Sequence, residues 1–231
     1  MRQIPLDSSL LAFLDELEFT EAALTADPMA TELAGAFEEQ IGEWPDVFRR
    51  QRSARRAVVR ADAQVAVLDG SLDRLTIRFG GQCLVEAGQD RKSPAFRRFF
   101  PTAPSEFIRG ALRKQCERTR DVIVPEIEEL PEESPLRAFA EPLLKGAKAA
   151  IAGLAARAKV QGEGATVATD VVEWKEGVNN LRTTTHAELV KIAVANNLGR
   201  SWPEVFFRSA ETARAESDGH APAPVDPAPT P

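Results

Sequence analysis

The sequence predicts an all-α protein, an antiparallel bundle of about four long helices with an N-terminal helical hairpin. Two periodic stretches and the punctuation between them carry that fold class. Val47, Ala54, Val58, Ala61, Val65, Leu68, Leu72, Leu75 and Phe79, with Gln51 in the same rhythm, fall on one side of a helix at about 3.6 residues per turn. Val167, Val171, Trp174, Val178, Leu181, Thr185, Leu189 and Ile192 repeat the step near the other end of the chain. Long seams joined by short turns favour neighbours that run up and down.

The elements follow in order. Residues 8–25 read as a first helix, with Leu10, Leu14, Leu17 and Leu24 on its inner side. Asp27 and Pro28 supply a cap and a first-turn proline for a second helix that stops near Gly42, so that 1–43 forms an acidic helical hairpin packing on the bundle. Trp44 and Pro45 open the third helix, which the seam carries to about residue 87, straight through Gly70. Residues 88–104 form a connection rich in breakers that nevertheless carries Phe96, Phe99 and Phe100, three rings expensive to leave in water. A helix over about 106–130 should kink or break at Pro125. The fifth helix starts at Ser134-Pro135, is disturbed at Pro142, and turns at Gly162 and Gly164 into a last helix over 165–197. Both faces of the fifth helix are small (Ala147, Ala150 and Ala158 against Ala149, Ala152, Gly153 and Ala156), which suits a central or self-associating position. The bundle domain thus spans 44–214, and 215–231, ending APAPVDPAPTP, reads as a disordered Pro/Ala-rich tail.

One short repeat recurs. Gly42-Glu43-Trp44-Pro45-Asp46-Val47-Phe48 resembles Gly199-Arg200-Ser201-Trp202-Pro203-Glu204-Val205-Phe206, each a glycine stop, a proline start, an acid in the first turn and Trp and Phe about one turn apart. Trp44, Pro45, Trp202 and Pro203 are therefore expected at elbows between helices.

Composition bounds the function. The chain is 43 % hydrophobic and 28 % charged, ordinary for a globular protein, but its charge is segregated. Residues 1–43 carry net -9, residues 44–120 net +9 and residues 121–231 net -6. Packing of the acidic segment against the basic one would cancel much of that field. Cys83 and Cys116 stand in no ligand spacing, which points to a reducing cytoplasm, and acids interrupt the N-terminal apolar stretch where a signal peptide or membrane span would need continuity.

Catalytic chemistry is scarce. Only His186 and His220 are present, and His186 has no acid on its own helical face to orient it, Glu188 pointing elsewhere. Gly162-Glu163-Gly164 lacks the lysine and serine or threonine of a phosphate loop, and no nucleophile elbow or metal-ligand spacing appears. No cofactor and no enzyme activity are expected. What remains is a row of Arg49, Arg52, Arg56 and Arg60 opposite the seam, widened by Arg50 and Arg55, and a connection where Arg97 and Arg98 alternate with phenylalanines. The leading expectation is a non-catalytic interaction or scaffold protein that binds a protein partner or itself. The alternative is nucleic-acid binding, with arginines 49–60 following phosphates and the basic-aromatic connection 91–100 stacking on bases. A small-molecule pocket between helices would be a third function, and no membrane partner is expected.

Overall fold

A computed structural model describes residues 1–208, and among them every regular element is helical. The tail expected at 215–231 lies outside the described residues. The helices are α1 (Leu10–Ala26), α2 (Gly35–Glu86), α3 (Pro94–Arg97), α4 (Pro104–Phe107), α5 (Leu112–Arg118), α6 (Val124–Glu128) and α7 (Ala140–Ala195). Short 3-10 turns stand at Thr31–Leu33, Arg137–Phe139 and Trp202–Phe206, and a π-turn at Thr119–Ile123.

Two breaks read from the sequence are absent. Gly42, Trp44 and Pro45 lie inside α2, which runs unbroken for 52 residues, so Trp44-Pro45 is no elbow. Pro45 gives up the hydrogen bond its amide would make to the carbonyl of Ile41. Tertiary anchoring outweighs that loss: the Trp44 indole Nε1 donates to the carbonyl of Leu10 at 2.8 Å, and its ring stacks on Phe48 at 4.9 Å. Asp27 does turn the chain, accepting from the Met29 amide at 2.8 Å, but the helix that follows starts only at Gly35.

Likewise Gly162 and Gly164 make no turn, because α7 passes through both and is 56 residues long. A Cβ on Gly146, Gly153 or Gly164 would come within 3.4, 2.8 and 3.5 Å of Leu72, Leu68 and Val58 respectively. These glycines are sites of close helix approach rather than turns. Pro142 disturbs nothing, being the third residue of α7, where an amide has no partner within the helix.

The expected helix over 106–130 is instead three short ones, interrupted at Gly110 and by the π-turn. In that turn the Val124 amide reaches back to Thr119, and the wider coil accommodates Pro125 directly after it. The second Trp-Pro motif does form an elbow. Asn197, at φ 54°, ends α7 with the Leu198 amide bonded to the Ala193 carbonyl at 2.9 Å, and Pro203 then sits in the first turn of the Trp202–Phe206 helix.

The chain divides into two compact units, Met1–Gln51 with the chain from Ala168 on, and Arg52–Val167; the boundary expected at residue 43 falls inside α2. In the first unit Phe13, Leu17 and Leu24 of α1 are buried, as are Phe37 of α2 and Val178 and Leu189 of α7. In the second, α2 and α7 run antiparallel: Val58 lies by Gly164, Asp62 by Arg157, Leu68 by Gly153 and Leu72 by Gly146. The core of this unit gathers where the short helices meet the long ones. Phe79 packs against Phe99, Phe100 and Phe139 with ring centroids 5.2, 5.6 and 5.5 Å away.

Candidate functional site

Arg49, Arg52, Arg56 and Arg60 all sit on exposed positions of α2. Residues 47–61 hold six arginines and no acid, so no carboxylate within that run of the helix can neutralise them. Arg49 pairs with Asp46 one turn earlier at 2.9 Å, and Arg50 pairs with Asp170 of α7. Both ion pairs are exposed and therefore weak anchors.

The second unit shows where charge is left over. Its residues 52–67 and 152–167, the stretch in which α2 faces α7, contain six basic side chains and two acidic ones. Both acids are taken, Asp62 by Arg157 at 3.9 Å and Glu163 by Lys159 at 3.9 Å. Arg52, Arg55, Arg56 and Arg60 have no ion pair among the described residues. The acidic N-terminal segment belongs to the first unit. Its one buried acid, Glu16, is turned toward Arg182, and Glu21, Asp27 and Glu43 accept hydrogen bonds from their own neighbours Thr25, Met29 and Gln40.

This stretch is also thinly covered. Only Ala61 and Val65 are buried in it, while Val59 and Val67 are 60 % and 67 % exposed. Helical spacing puts both valines on the same outward side as Arg52, Arg56 and Arg60. The surface is therefore a mixed one, with guanidinium groups set among aliphatic side chains.

The basic-aromatic connection is arranged differently. Phe96, Phe99 and Phe100 are 1–2 % exposed and form the aromatic core of the second unit, so no ring face is open for a base to stack on. Arg98 is engaged by Glu126 and Glu129 and lies 5.8 Å from the Phe99 ring, whereas Arg97 is exposed. The sequence could mark these phenylalanines as too apolar for water, but not which core would take them.

Comparison with known protein families, curated proteins and solved structures finds no match.

Sequence reasoning missed the polar interior of the first unit. Arg182, 2 % exposed, makes an ion pair with Glu16 at 3.0 Å, and its guanidinium lies 5.1 Å from the Phe207 ring. Burial pushes the Arg182 guanidinium below its ordinary value, and the Glu16 carboxylate pulls it back up. Asn179 holds both the amide and the carbonyl of Ile4, at 2.9 and 2.8 Å, and Lys175 donates to the carbonyls of Leu6 and Ser8 at 2.8 and 2.6 Å. These contacts fasten the extended segment ahead of α1. A signal was present: Lys175, Asn179, Arg182 and His186 follow one another at helical steps beside the apolar seam. His186 does have an acidic partner, Glu204 at 2.8 Å, supplied by the Trp202–Phe206 helix rather than by its own. The Met1 ammonium foremost, and His186 with it, hold the Glu204 carboxyl below the usual range.

In the second unit a further polar group joins α2 to α5. Gln115 donates to Asp73 at 2.9 Å, and the Asp69 carboxyl is raised by burial and by Asp73. Two hollows open among the described residues. One of about 420 Å³ in the first unit is lined by residues 3–6 with Glu176, Asn179 and Asn180, and one of about 230 Å³ in the second includes Ile77, Gly80, Arg91, Phe96 and Pro104. Neither lining set joins a nucleophile to a base. Among the described residues no three His, Cys, Asp or Glu side chains are grouped to hold a metal, and no helix is long and apolar enough to cross a membrane.

Proposed function

We propose that this chain is a non-catalytic interaction protein of the reducing cytoplasm, and that its docking surface is the outward face of α2 at Arg52, Arg56 and Arg60. The observation that carries the reading is the surplus of charge. Four arginines stand exposed in a two-helix stretch whose own acids are already paired. Unpaired guanidinium groups among exposed valines favour an acidic partner with some apolar surface, because arginine combines a fixed charge with weak hydration. Nucleic acid is the second reading. It is favoured by the repeat of Arg52, Arg56 and Arg60 every four residues, about 6 Å along the helix.

The test is the native mass of the protein in cell extract. A complex heavier than the chain should persist after nuclease and disappear when Arg52, Arg56 and Arg60 are changed to glutamate. Loss on nuclease treatment alone transfers the surface to nucleic acid. A chain that runs at its own mass in every condition overturns both readings.

A further inference from the structure

We infer that the arginine face of α2 docks on the outward face of α1 in a second copy of this chain. This inference rests on the reading of the arginines as a docking surface and names its occupant. The first observation is charge. Residues 1–43 carry net -9, the most acidic segment of the chain, and Arg52, Arg55, Arg56 and Arg60 make no ion pair among the described residues. Asp15 and Glu18 of α1 are exposed and make no ion pair among the described residues. Two exposed charge surpluses of opposite sign attract one another when two chains meet.

The second observation is the apolar content of both faces. On α1, Leu11, Asp15, Glu18 and Ala22 follow at helical steps along the outward side, with Phe19 beside them; Leu11 is 57 % and Phe19 40 % exposed. On α2, Val59 and Val67 stand among the arginines. Each face thus sets exposed apolar side chains among charges of one sign, a composition that suits helix-on-helix contact better than a sugar-phosphate chain, which offers no apolar partner. The third observation is the missing layer. Where α2 faces α7 in residues 52–67 and 152–167, only two side chains are buried, so a third helix laid along this stretch would cover surface that the chain itself leaves wet.

The contact is heterologous, α1 of one copy on α2 of the next, and it closes into a dimer only if the reciprocal contact forms. Sedimentation velocity of the full chain at low and at high salt tests it. The wild type should associate at micromolar concentration and fall toward monomer as salt rises. Arg52→Glu with Arg56→Glu should weaken association by about tenfold or more, and so should Asp15→Arg with Glu18→Arg. The chain carrying all four reversals should associate again, because the attraction is restored with its sign exchanged. Both sets of changes are at exposed positions, and far-ultraviolet circular dichroism should be unaltered. A wild type that stays monomeric at low salt overturns the inference, as does failure of the fourfold variant to recover. If that monomer still retains an oligonucleotide or anionic vesicles through Arg52 and Arg56, the docking surface stands and its occupant is a polyphosphate or a lipid. If it retains nothing, the reading beneath falls as well.

Discussion

Cys83 and Cys116 are 2 % and 0 % exposed, and burial pushes their thiols up to about 12 and about 11. At mildly alkaline pH neither supplies thiolate, the only form that attacks a disulfide reagent. Ellman's reagent at pH about 8 should therefore find no thiol in the native protein and both once denaturant is added; prompt labelling of either would contradict the burial. The Glu16–Arg182 pair makes a second demand. Arg182→Met leaves a carboxylate in the interior, and the expected loss is about 3–5 kcal/mol in urea unfolding. Glu16→Leu combined with Arg182→Met should recover most of it, since two apolar side chains avoid the desolvation that both charges suffer. Recovery is the informative half, because a cavity created by losing the long side chain would persist in the double variant.

The continuity of α2 and α7 has consequences at Pro45 and Gly162, and the close approach of Pro104 has one at Gly80. Because Pro45 lies inside α2, Pro45→Ala restores an amide hydrogen bond and removes a clash, raising stability by up to about 3 kcal/mol. If it opened a separate helix, the change would be neutral or slightly harmful. Gly162 has open space around it, so Gly162→Ala should stabilise α7 by about 0.5–1 kcal/mol, whereas Gly80→Ala would drive a Cβ to 2.5 Å from the rigid Pro104 ring and cost about 1–3 kcal/mol. Chemical denaturation of the three variants tests all of these signs. The same residues show how far the sequence could be read. The apolar rhythm from Val47 to Phe79 does lie along α2, and Ala61, Val65, Leu72 and Phe79 are buried by it. The sequence places stops at Gly42 and at Gly162-Gly164 because local propensity knows nothing of Trp44 bonded to Leu10, or of Val58 packed close against Gly164. Glycine serves turns and close approach alike, and only the partner helix distinguishes them. The arginine row was visible because it needs nothing but helical spacing. Its lack of partners was not, since that depends on Asp62 and Glu163 being taken by Arg157 and Lys159 of α7.

Across the molecule, burial is uneven. The aromatic group around Phe79 and the seam around Val178 are closed to water, while residues 52–67 and 152–167 are held by little more than each other. Backbone amides protected by so few apolar contacts open at low cost. Hydrogen exchange should therefore reach residues 54–66 before it reaches Leu72–Cys83 of the same helix, and binding of an occupant should slow that exchange selectively. Equal protection along the whole of α2 would mean that the thin stretch is not a weak point. Its sparse burial reaches into calorimetry too. Side chains such as Val59 and Val67 are hydrated before melting begins, so denaturation adds little fresh hydrocarbon surface there. The heat capacity gained on melting should then fall below the usual value of about 12–15 cal/mol/K per residue, giving the protein a flatter stability curve than a fully packed chain of the same length.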